Sequence, residues 1–143
     1  MIRHLKHLPV IALILLQPLS GQAQKIHFPE LTYNGKNLNE LIVHRKDRSS
    51  IRPNDCVINM VMSLDLKDID STTVEGKVKD LEYGDPVYFA AIKITRMDGS
   101  IVTIQADATG RFIVRRGSPV KEILLMQVGY AKVRIKASGN KLF

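Results

Sequence analysis

The stretch AAIKITRMDGSIVTIQADATGRFIVRR, residues 90–116, decides how the chain folds. In its first part Ile92 and Ile94 alternate with Lys93 and Thr95, so an extended segment would carry one apolar face and one polar face. Asp98-Gly99 follows, a dipeptide suited to a hairpin turn, and the β-branched run SIVTIQA reads as the returning strand. Asp107-Ala108-Thr109-Gly110 marks a second reversal. The Asp carboxylate can accept backbone N–H groups two or three residues ahead, and Gly takes positive φ without a Cβ clash. RFIVRR then places Phe112 and Val114 on one inward face. The DATG segment is therefore turn chemistry that serves the core.

The same rhythm extends in both directions. Upstream, VEGKVKD alternates and leads to the turn Tyr83-Gly84-Asp85-Pro86. Downstream, Gly117-Ser118-Pro119 separates RFIVRR from EILLMQVGY, and AKVRIKA completes the set. In the last of these Val133 and Ile135 point one way and Lys132, Arg134 and Lys136 the other, a charged outer face that discourages edge pairing. ILLM is apolar on both sides, which assigns it to the middle of a sheet whose outer face is covered, or to a contact with something else. Short strands separated by regular turn signals, with no helical spacing after residue 73, predict an all-β antiparallel sandwich.

The beginning of the chain has another character. Arg3 and Lys6 precede an apolar run over residues 8–16, and Pro18 leads to the small residues Ser20, Gly21 and Ala23. This is the layout of a secretory signal peptide over residues 1–23, with cleavage expected after Ala23. The run is well short of the about 20 apolar residues that a spanning helix needs, so no transmembrane segment is expected in the mature chain. The expected location is the periplasm, an outer-membrane-associated site or the exterior. Cys56 is the only cysteine, so no disulfide can form within the chain.

Residues 24–73 read as an N-terminal extension. Asn37 and Glu40, ahead of Leu41-Ile42-Val43, suggest a capped short helix; residues 45–54 read as a polar loop. CVINMVMSLDL reads as a strand with Cys56, Ile58, Met60 and Met62 on one face. The sandwich is expected over 74–137, followed by a tail at 138–143.

Gly76-Lys77-Val78-Lys79-Asp80, Pro86 ahead of Ala90-Ala91-Ile92, Asp107-Ala108-Thr109-Gly110-Arg111-Phe112 and Val128-Gly129-Tyr130 occur in an order that resembles the carboxypeptidase regulatory-like domain. Residues 74–137 carry the likeness. One departure is Ala90, where that family often has Gly. The resemblance implies a transthyretin-like, or prealbumin-like, β-sandwich acting as a non-catalytic companion in exported bacterial proteins, often of the Bacteroidetes type. It fits turn and core roles for Gly76, Pro86, Asp107, Gly110, Phe112, Gly129 and Tyr130.

Candidate chemistry is sparse. Beyond residue 23 the only histidines are His27 and His44, and neither stands beside a nucleophile in sequence, so no catalytic residue is expected. Asp65, Asp68 and Asp70 crowd together without the Gly or terminal Glu of a calcium loop, and one Cys with two His forms no zinc pattern; no metal or cofactor is expected. Lys and Arg outnumber Asp and Glu by 21 to 14, and beyond the leader the whole excess falls after residue 73. Arg111, Arg115 and Arg116, with Lys132, Arg134 and Lys136, would form a patch for anionic lipid or polysaccharide if their strands were neighbours. Nucleic acid is disfavoured because no aromatics interleave with these cations. Tyr83, Tyr88 and Phe89, around the Pro86 turn, are candidate contacts for a glycan. The expected partner is another envelope protein or a glycan.

Overall fold

The computed structural model describes residues 30–38, the backbone of 42–47, and residues 60–139 and 142–143. The expected signal peptide, Cys56, His27 and the side chain of His44 lie outside the described residues. Ten strands are present among them: β1 Leu31–Tyr33, β2 Lys36–Asn37, β3 Ile42–Asp47, β4 Met60–Asp68, β5 Thr73–Asp80, β6 Ala91–Arg96, β7 Ile101–Gln105, β8 Arg111–Arg115, β9 Val120–Met126 and β10 Tyr130–Ala137. No helix occurs among the described residues, and the all-β expectation holds.

The strands form two layers. One runs β2-β1-β4-β5-β8 and the other β3-β10-β9-β6-β7. Pairings are antiparallel except β1 with β4 and the short contact of Tyr130–Ala131 with Met60–Val61, which stitches the layers at a corner. Alternation decides what lies between them. Leu64, Leu66, Val74, Val78, Phe112 and Val114 face Ile92, Ile94, Ile123, Leu125, Val133 and Ile135 in one buried cluster. The apolar ILLM segment lies in β9, between β10 and β6, as its two-sided character demands. Its outward Leu124 is in register with Lys93 and Arg134 and is only half-exposed.

The described residues before position 73 take part in this sandwich. β4 pairs with β5 along seven positions and Met62, Leu64 and Leu66 enter the shared core. At the other end of the chain Leu142 is buried, and its carbonyl accepts the Val120 N–H at 3.1 Å.

Two local expectations in residues 24–73 need correction. Asn37 is not a helix cap but closes β2, and Ile42-Val43 opens β3 rather than continuing a helix. Residues 45–47, read as loop, belong to β3 and pair with Lys132, Val133 and Arg134 of β10. The reason is long-range: β-branched Ile42 and Val43 gain a ladder with a strand some ninety positions away, which a local capping pattern cannot reveal. The sequence does carry a signal at Asn34-Gly35. With φ of 51° and 76° these residues make the mirror-image turn that joins two strands through a two-residue loop, Tyr33 facing Lys36.

Candidate binding surface

The β5 to β6 connection crosses one end of the sandwich. It begins at Asp80, whose position opposite Met62 puts a carboxylate at the end of an inward-facing row. That carboxylate is buried, and accepts the Glu82 and Tyr83 N–H groups at 2.8 Å each. The main chain then reverses through Gly84 (φ 75°), and Lys79 bridges to Pro86. Val87 returns to the core and donates its N–H to Val78 at 3.0 Å. Phe89 donates its N–H to the Asp107 carbonyl at 3.2 Å, linking this loop to the DATG turn.

So anchored, the loop displays its aromatics. Tyr83, Tyr88 and Phe89 are 66%, 55% and 54% exposed. Phe89 has φ of 54°, a left-handed conformation that a bulky side chain rarely adopts. The Gln127 amide donates to the Tyr88 carbonyl, and the Gln105 amide approaches the Phe89 carbonyl at 3.4 Å. The adjoining turn into β10 exposes Val128 almost completely. Gly129 supplies positive φ there, and Tyr130 turns inward to half-burial. Burial first, and the nearby Asp80 carboxylate second, hold the Tyr130 hydroxyl above the ordinary tyrosine range.

In the DATG turn the Asp107 carboxylate reaches N–H groups two and four residues ahead, where the sequence suggested two or three. Asp107 Oδ1 accepts the N–H of Thr109 at 2.7 Å and of Arg111 at 3.0 Å, and also the Thr109 hydroxyl at 2.7 Å. These bonds, the Thr109 hydroxyl foremost, hold the Asp107 carboxyl below its usual range. Asp107, Thr109 and Arg111 line a shallow hollow of about 230 Å³ with Glu75, Phe112 and Ile113. Arg111 pairs with Glu75 there, and the remaining charge, on Asp107, is taken up by the hydrogen bonds of its own turn.

The opposite end is closed by a second carboxylate. Asp68 lies opposite Val74, again ending an inward row. It accepts the Tyr33 hydroxyl at 2.6 Å and the Asn34 amide at 2.9 Å, and pairs with Arg116. Beyond Tyr33, the Phe143 ring meets the Tyr33 ring edge-on at 6.4 Å and lies 5.8 Å from the Arg96 guanidinium. Arg96 is buried and donates to the carbonyls of Ser118 at 2.7 Å and Arg115 at 2.6 Å. Asp65 accepts from Thr32 and pairs with Lys79, and Asp70 caps the N–H of Thr72. Each of the three acids singled out in sequence thus has its own local partner.

Asp68 provides a pH test. The Tyr33 hydrogen bond, followed by that from Asn34, holds its carboxyl below the usual range. A depressed folded-state value means stabilisation that is complete above the unfolded value, about 4, and is lost as pH falls through the folded value. Asp68→Asn should therefore flatten the acid limb of a melting-temperature profile below about pH 4 relative to the wild type. An unchanged limb would show that the network contributes nothing to acid sensitivity.

The six cations are not brought together. Arg111 and Arg115 lie on β8 in one layer, whereas Lys132, Arg134 and Lys136 lie on β10 in the other, and Arg116 is committed to Asp68. The period-2 spacing of Lys132, Arg134 and Lys136 shows only that β10 has an outer face. On β10, Arg134 also lies 3.6 Å from the Glu122 carboxylate.

No protein-family model matches the sequence, and no curated protein does. Among solved structures, the chain is similar to native alpha-2-macroglobulin from Escherichia coli spanning domains NIE-MG1, at 13% identity and a TM-score of 0.42. That likeness covers 52% of this chain and 35% of the other. The resemblance to the carboxypeptidase regulatory-like domain accordingly rests on the residues quoted for it.

Proposed function

We propose that the protein is an exported, non-catalytic β-sandwich module that binds or assembles with a partner at the bacterial cell envelope, using the aromatic loop between β5 and β6. The carrying observation is Phe89: its φ of 54° costs backbone energy, of order 1 kcal/mol or more, yet the ring remains more than half exposed. The N–H bond to Asp107 fixes this backbone, but Gly would supply the same N–H without the strain, so folding does not call for the ring. Contact with a ligand does. The envelope location rests on the leader-like residues 1–23, and the absence of catalysis on the lack of a nucleophile paired with a base in the sequence.

A glycan is the second reading. It is favoured by the glutamine amides beside the loop, Gln105 near Phe89 and Gln127 near Tyr88, since aromatic faces flanked by amide groups suit a polyhydroxylated ligand.

Phe89→Gly separates binding from folding. Gly accepts the positive φ, so stability should stay level or rise by up to about 1 kcal/mol while binding is lost. Capture of envelope proteins by immobilised wild-type protein and binding to a glycan array are the two assays, with Tyr88→Ala alongside. Retention by both variants of everything the wild type holds would overturn the assignment. A signal confined to the array would select the glycan.

A further inference from the structure

We propose that β7 is a self-pairing edge through which two copies of this chain join, antiparallel about a two-fold axis at Thr103, into one continuous sheet. β7 ends its layer, with β6 its only strand partner among the described residues. Its free side can be read from the ladder. Ala106 donates to Ala90 at 2.8 Å and Arg96 to Ser100 at 2.9 Å, so the even-numbered residues exchange hydrogen bonds with β6. The N–H and C=O groups of Ile101, Thr103 and Gln105 consequently point away from it.

Edges of this kind are usually guarded by charge, proline, a bulge or shortness. β8 carries Arg111 and Arg115, β3 has Arg45, Lys46 and Asp47 in its sequence, and β2 has two residues. IVTIQ has no charge and no proline, and its pairing with β6 is regular throughout. Among the described strands of five or more residues it alone lacks a charged residue. In a chain with formal net charge +7, this is the edge at which two copies meet without cations facing one another.

The sequence also matches itself. Antiparallel pairing centred on Thr103 sets Val102 opposite Ile104 of the second copy, both on the core-facing side. Each is only half-buried, unlike Ile92 and Ile94 on the adjoining strand. On the outer side Thr103 meets Thr103 of the second copy, a favourable cross-strand pair, and exposed Ile101 meets Gln105. Lys93, the register partner of Thr103, stands three strand spacings from its counterpart, about 14 Å, which exceeds the Debye length of about 8 Å at physiological salt. Their repulsion is therefore largely screened at physiological salt, and association should weaken only when salt is lowered, the reverse of a basic patch meeting an anion.

Sedimentation velocity of the full protein from about 1 μM to 500 μM, with amide exchange followed by NMR, tests this. The expected result is a dimer fraction that rises with concentration, together with growing protection of the Ile101, Thr103 and Gln105 amides. Thr103→Pro removes a donor that β6 does not use, and Thr103→Lys sets like charges across the axis; each should weaken dimerisation at least about tenfold with unchanged circular dichroism. If the proline variant fails to fold, the lysine variant decides. A monomer throughout, an unaltered dimer in the folded variants, or full protection of these amides in the monomer would overturn the proposal.

Discussion

Gly110→Val should destabilise the fold by about 3–4 kcal/mol, seen as a fall in melting temperature of roughly 12–16 °C. Two effects combine. Gly110 has φ of 77°, where a β-branched residue is strained, and an added Cβ would lie 2.6 Å from the Val78 carbonyl oxygen. That carbonyl belongs to backbone and cannot swing aside. Val78 also donates its N–H to the Gly110 carbonyl at 2.8 Å and its own carbonyl accepts from Val87, so a shift would disturb both connections. Gly129 provides the comparison, since its φ of 83° is similar but nothing lies within 4 Å of its added Cβ. Gly129→Ala should show the conformational cost alone, and Gly110→Ala that cost plus the clash. Equal losses in the two alanine variants would remove the steric argument.

The features legible in sequence are those set by neighbours along the chain. Asp98-Gly99 turns β6 into β7 with Gly99 at φ of 84°, and Asp107 closes its turn through residues within four positions. The alternations in β8 and β10 place Phe112, Val114, Val133 and Ile135 inside. Features set by distant neighbours were hidden. β3 finds its partner in β10, and β1 pairs in parallel with β4, so neither strand is specified by its own few residues. For the same reason the cations of β8 and β10 could be assigned to outer faces but not to layers. The aromatic loop lies between these cases. Its three rings are evident in the sequence, whereas the left-handed backbone of Phe89 depends on its link to Asp107.

Gly76 and Phe112 show how such a distant relation becomes testable. They face each other in the β5–β8 ladder, with Leu66 of β4 opposite Gly76 on its other side. A Cβ added at Gly76 would fall 2.1 to 2.7 Å from three atoms of the Phe112 ring. The ring therefore occupies the space that a side chain on β5 would fill, offsetting the weakness of glycine inside a strand. Phe112→Ala should lose about 3–5 kcal/mol by opening a cavity in the core. Gly76→Val should lose about 2–3 kcal/mol by displacing the ring. The double variant puts the valine into the vacated volume, and should be more stable than the sum of the single losses predicts by about 1.5 kcal/mol or more. Denaturant melts of the four proteins complete the cycle. Additivity within about 0.5 kcal/mol would mean that ring and glycine do not share this space, and the inner face of β5 would need another explanation for its missing side chain.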